Sequence, residues 1–232
     1  MAARNSGSGN RLTNAGNPTR NSFTWMFWLY LLGHGITEWP TFISLIGDRA
    51  PCVQLNQGGY AIVIGETLND TAIGSTLSLN TWYHIAWVRA STTNNRLYVN
   101  GVIDITDLTT QIGGTTEAGI CYYDQALSTL WSDCRIAYSK IWNNVQLSAE
   151  EILNEMNSIR PVRTDGLWAF YPHMPDASER LADYSGNGRT LSQTGTITDE
   201  DPPPVSWVVG SPFVGNSIGP AYGYSPRIKI HS

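Results

Sequence analysis

Residues 80–105, NTWYHIAWVRASTTNNRLYVNGVIDI, leave little choice of local fold. Apolar residues alternate with polar ones in two stretches, first at Trp82, Ile85 and Trp87, then at Leu97, Val99 and Val102, around a polar turn at 91–95. A period of two marks strands with one buried face. Asn100-Gly101 follows the second stretch. This pair is the strongest short hairpin signal, because a type I′ turn needs positive φ at both central residues. The segment is therefore an antiparallel meander of at least three strands.

Strand-like alternation recurs at 22–30, 42–46, 60–64, 81–89, 96–100, 135–142 and 166–171, with turn signals between. That pattern predicts an all-β sandwich of two antiparallel sheets packed face to face. A length of 232 residues suits one large all-β unit, and 41% hydrophobic residues can fill its core. One short helix is predicted near 148–158. Ser148 and Glu151 form a capping box, Ile152, Leu153 and Met156 give an apolar stripe at helical spacing, and Pro161 ends the pattern.

The chain divides into three zones. Residues 1–20 are rich in Gly, Ser and Asn and carry Arg4, Arg11 and Arg20, which predicts a flexible arm that binds a partner. Residues 21–200 form the globular body. Residues 201–232 begin DPPPVSW and read as a Pro/Gly-rich tail, yet Trp207, Phe213, Tyr222 and Tyr224 make it too apolar for a free linker.

The motifs NTWYHIA and RLYVNG resemble the centre of the laminin-G-like, or concanavalin A-like, jelly-roll domains. NSFTWMFW at 21–28 resembles the early core strand of that family, and RIAYSKIWNNVQLSAEEI at 135–152 its closing strand and following helix. DGLWAFY at 165–171 and DYSGNG at 183–188 are similar to the strand and turn that usually open such a domain. Here they follow the helix, a permuted order similar to that of bacteriophage structural proteins. The resemblance spans roughly residues 20 to 200 and implies a two-sheet jelly roll.

Catalysis finds little support. Glycan-cleaving relatives of this fold carry Glu-x-Asp-x-Glu on one strand, and no strand here has that pattern. Glu150-Glu151 and Asp199-Glu200-Asp201 read as solvated charges or caps. His84 alternates away from Ile85, which predicts a surface or cross-strand position, and no Ser or Cys stands in a nucleophile elbow. The expectation is a protein that is not an enzyme and has no cofactor. Calcium has weak candidates in Asp183 and Asn187, whose loop lacks the Glu that closes an EF-hand, and in Asp48, by resemblance to rim-binding relatives. A Gly-stabilised Asx turn is the competing reading of the Asp183 loop.

A net charge of −5 argues against nucleic acid as a partner. The apolar run 23–32 is too short to span a membrane and lacks the flanks of a signal peptide, so retention in a bacterial cytoplasm is expected. Cys52, Cys121 and Cys134 are odd in number, which favours buried free thiols over a disulfide framework. Of the nine Trp, Trp82, Trp87, Trp142 and Trp168 fall on strand positions suited to a core, while Trp39 and Trp131 lie in loops suited to stacking on sugars. Two functions follow from the resemblance. One is a structural protein of a bacteriophage virion, such as a head decoration, that is homo-oligomeric and holds other virion proteins through its arms. The first is the expected role, and the alternative is a carbohydrate-binding module or adhesin for host glycans.

Overall fold

A computed structural model of the chain describes residues 2–5, 10–14, 16, 22–33, 40–46, 51–66, 69–110, 117–120, 133–174 and 176–205. The strands form two wholly antiparallel sheets. Across the eight-stranded sheet the order is β10 (Val102–Asp107), β9 (Asn94–Val99), β8 (Trp82–Ser91), β3 (Phe23–Gly33), β12 (Asp133–Asn143), β1 (Ala2–Asn5) and β15 (Thr198–Glu200). β13 (Leu167–Tyr171) also pairs with β12. The seven-stranded sheet runs β14 (Ser192–Thr194), β2 (Arg11–Asn14), β11 (Glu117–Ile120), β4 (Thr41–Ile46), β5 (Cys52–Leu55), β6 (Ala61–Glu66) and β7 (Asn69–Thr76). Two short helices, α1 (Ala149–Met156) and α2 (Ala177–Leu181), complete the described elements. The predicted jelly-roll sandwich is the observed fold.

The meander is β8, β9 and β10. Asn100 and Gly101 take φ of 51° and 79°, the left-handed pair that the Asn-Gly turn requires. Gly101 has a second reason to lack a side chain, because a Cβ there would run into Leu153 Cδ2 of α1. Alternation sends Phe23, Trp25, Phe27 and Leu29 of β3, with Ile85 and Trp87 of β8, into one core with Leu55, Ile62 and Ile64 of the other sheet. Phe23 meets Trp87 edge to face, with ring centroids 4.7 Å apart. At one side the sheets join: Ser75 donates from N–H and Oγ to the Asp104 carboxylate, so edge strands β7 and β10 cover each other.

Several expectations fail in instructive ways. Part of the predicted arm is sheet. β1 pairs with β12 and β15, with Arg4 opposite Arg135, and β2 lies between β11 and β14, with Arg11 opposite Thr194. These four-residue strands carry too few apolar residues to announce themselves. They are recruited because β12 spans eleven residues, β13 covers only its second half, and β1 takes the first. Arg20 lies outside the described residues. The acids at 199–200 are paired rather than solvated: Asp199 with Arg180 at 2.8 Å and Glu200 with Arg135 at 3.1 Å. Of the tail, Pro203 is buried and Val205 packs beside Tyr138 and Phe170, while 206–232 lie outside the described residues.

The helix differs in its buried face. Its capping box forms as expected, but Ile152 and Glu155 are buried while Leu153 is exposed. Glu155 is drawn inward by Lys140 of β12, whose Nζ donates to Glu155 Oε2 at 2.8 Å and to the carbonyls of Glu155 and Ser158 at 2.9 and 2.7 Å. The other Glu155 oxygen accepts from the N–H groups of Val162 and Arg163 at 2.8 and 2.7 Å. The helix ends at Met156, before Pro161, with Asn157 as its C-cap.

His84 is on the predicted face but not at the surface. It is buried against Trp28, and burial, aided by the Lys140 charge, lowers its pKa to about 3. Trp87, Trp142 and Trp168 are buried as expected, whereas Trp82 is only half-buried. Cys52 and Cys134 are buried free thiols, and Cys121 lies outside the described residues.

Candidate functional site

Outward residues of β8 and β9 share a face because Val88 stands opposite Arg96 and Ala86 opposite Tyr98. Above them runs the segment that enters α1. Thr24 of β3 fixes it from below: its Oγ1 donates to Val145 O at 2.8 Å and accepts from Leu147 N–H at 3.0 Å. The capping box fixes its far end, with Ser148 N–H donating to Glu151 Oε2 at 2.8 Å and Glu151 N–H to Ser148 Oγ at 3.2 Å. Arg163 pairs with the same Glu151. The Ser148 N–H, then Arg163, keep this carboxyl below the usual carboxylate range, despite some opposing desolvation.

Between sheet and helix entrance lies a cleft of about 310 Å³. Val88, Tyr98 and Leu147 are its buried apolar lining, while Asn94, Arg96, Gln146 and Ser148 supply polar groups. Asn94 Oδ1 has no hydrogen-bond partner among the described residues. The volume sits at the lower end of small-ligand sites, and polar and apolar groups share the lining about equally. Sequence reasoning missed this cleft. The alternation that turns Leu97 inward does turn Arg96 and Tyr98 outward, but nothing local places residues 146–149 over them.

Asp183 and Asn187, singled out from the sequence, do not line this cleft. Trp39, Trp131 and Asp48 lie outside the described residues. Asp183 is the centre of an Asx turn: one oxygen accepts from Phe170 and Ser185 N–H at 3.0 and 2.9 Å, the other from Ser185 Oγ and Arg189 N–H, both at 2.9 Å. Asn187 donates to Leu167 O at 2.9 Å and Trp168 O at 3.2 Å, tying the turn to β13. Four donors on one carboxylate make this a structural turn, and no cluster of three or more His, Cys, Asp or Glu able to hold a metal occurs among the described residues. His173 is buried with Nδ1 unpartnered, its pKa lowered to about 3 chiefly by desolvation. Elsewhere Tyr30 and Trp82 lie 5.2 Å apart, with the Arg135 guanidinium 4.8 Å above the Tyr30 ring. That guanidinium occupies one face a sugar would use.

No described helix is long and apolar enough to cross a membrane. A search of curated proteins gives no match. Among solved structures, a Bacteroides ovatus protein named "putative carbohydrate binding protein" superposes with a TM-score of 0.63 at 17% identity. The alignment covers 88% of this chain and 61% of that protein, so this chain spans less than two thirds of its length. Trypanosoma rangeli sialidase in complex with DANA gives 0.49 at 11% identity over 60% of this chain and 23% of that one. A heptameric SAP-like pentraxin from Limulus polyphemus gives 0.46 at 10% identity, over 66% and 80%. At these identities the likeness is one of fold. A family model, the concanavalin A-like lectin/glucanases superfamily, matches residues 4–153, from within β1 to within α1. With well over half its length matched from the first strand of the sandwich, this chain belongs to the concanavalin A-like lectin/glucanases superfamily.

Proposed function

We propose that this chain is a non-enzymatic glycan-recognition domain that receives a sugar residue in the cleft between β8, β9 and α1. The cleft's make-up carries the proposal: Asn94, Gln146 and Ser148 offer polar groups to a sugar's hydroxyls, around a small apolar floor at Ala90 and the edge of Tyr98. The fold it shares with the Bacteroides ovatus protein supports a carbohydrate ligand. A non-catalytic role agrees with the posts held by the acids, since Glu151, Glu155, Asp183, Asp199 and Glu200 all sit in structural bonds.

The experiment is a glycan array with the full chain, its Ala90→Phe variant, which fills the cleft from β8, and a Trp39→Ala/Trp131→Ala variant. Binding lost only in Ala90→Phe supports the cleft. Binding lost only in the Trp variant moves recognition to the loops that hold those residues. An array blank for the wild type overturns the glycan reading.

A second reading, a bacteriophage virion surface protein assembled in the host cytoplasm as a homo-oligomer, rests on the order in which β13 and the 183–188 turn follow α1. Its contacts would lie away from residues 2–5 and 11–14, whose backbones are engaged within the sandwich. Failure of the chain to bind empty particles in sedimentation would remove it.

A further inference from the structure

We infer that the cleft selects a sugar bearing a carboxylate, such as a uronic or sialic acid residue, with Arg96 as the group that recognises it. This deepens the glycan reading above and rests on it. Arg96 stands on β9 between Val88 and Thr106 of the neighbouring strands, exposed on the outward face. It is the sole charged residue among those lining the cleft, where neither Asp nor Glu occurs.

Six other cations whose side chains are described are engaged elsewhere. Arg135, Lys140, Arg163 and Arg180 each pair with a carboxylate. Arg189 lies over Trp168 at 4.7 Å, and Arg89 donates to Asn95 Oδ1 at 3.1 Å. Arg96 has no such partner among the described residues. A guanidinium presents a planar fork that matches a carboxylate through two parallel N–H···O bonds, a fit no neutral hydroxyl offers. The entrance of α1 at Ser148 and Ala149 lines the same cleft, but its positive end is already met by Glu150 and by Glu151, whose carboxylate accepts from Ser148 N–H, so the attraction for an anion there falls to Arg96. With a net charge of −5 the chain as a whole repels anions, so a local cation is what makes an acidic sugar acceptable there.

The test is isothermal titration of the full chain with oligosaccharides ending in glucuronic or N-acetylneuraminic acid, and with the same chains ending in a neutral or a sulfated sugar. Carboxylated ligands should bind about tenfold tighter than neutral ones, the scale of a hydrogen-bonded charge. Arg96→Gln should erase that preference, so that carboxylated and neutral ligands bind with equal affinity, and Arg96→Lys should keep part of it. Equal binding of acidic and neutral sugars, a stronger preference for the sulfated chain, or an Arg96→Gln protein that still prefers the carboxylate overturns the inference and leaves the glycan reading standing. No binding of any sugar overturns both.

Discussion

On its inner face the eight-stranded sheet presents Phe23, Trp25, Ile85 and Trp87 to the partner sheet, whereas on its outer face it mixes Thr24, His84 and Lys140 with a smaller apolar cluster around Met26, Ala86 and Trp142. Both sets are buried, but by different physics. The inner face loses water to close packing, and any well-shaped apolar residue serves. On the outer face polar groups lose water too, so partners matter: Lys140 takes Glu155 and two carbonyls, and Thr24 takes Val145 and Leu147, while His84, whose Nδ1 has no partner among the described residues, stays neutral. These bonds, with Ile152 in the cluster of Met26 and Trp142, fix where α1 sits, and with it the cleft.

The largest test of this contrast sets Trp87→Ala against Lys140→Met. The first leaves a cavity and should cost about 3–5 kcal/mol. The second leaves Glu155 buried as an uncompensated charge and should cost about the same. Only the second can be rescued. Adding Glu155→Gln removes the charge while keeping an acceptor for Val162 and Arg163, and should recover at least half of the loss in urea unfolding. A double variant no more stable than Lys140→Met would mean that the lysine acts through packing alone.

A pH titration of stability should give the next largest effect. His84 and His173 titrate at about 3 in the folded chain, against an unperturbed value near 6.5. Above pH 6.5 both states are neutral and nothing changes. Between 6.5 and 3 the unfolded chain takes protons that the folded one refuses, so stability falls as pH falls, by about 1.4 kcal/mol per unit for each histidine. His84→Leu should remove about half of this histidine-linked slope. An unchanged slope would show that His84 is protonated in the folded state.

The smallest change is Ser148→Ala, which removes one side of the capping box and should cost about 1 kcal/mol in thermal unfolding. It should loosen the cleft without touching the inner core. Loss of glycan binding beyond what that destabilisation explains would place Ser148 Oγ in the site itself.

Where one face is apolar, the fold could be read from the chain. The β8–β10 meander, the Asn100-Gly101 turn and the Ser148–Glu151 box appear at the expected residues, because each is decided by neighbours within a few positions. β1, β2, β14 and β15 could not be read. Each has three or four residues and exists because a longer strand leaves an edge to be covered. The same limit hid the candidate site. Trp39 and Trp131 drew attention as aromatic residues in loops. The cleft joins Arg96 and Tyr98 to Gln146 and Ser148, about fifty residues further along, and no periodicity links them.

The amino-acid order alone determined the sandwich, its central meander and its capped helix, since alternation, turn geometry and capping are short-range consequences of side-chain shape and backbone φ. Only the tertiary structure decided that Lys140 would bury Glu155, that His84 would be sealed from water, and that Arg96 would line a cleft beside the entrance of α1. Those outcomes depend on which side chains are brought together and which are sealed from water, and that is settled by packing across the chain rather than along it.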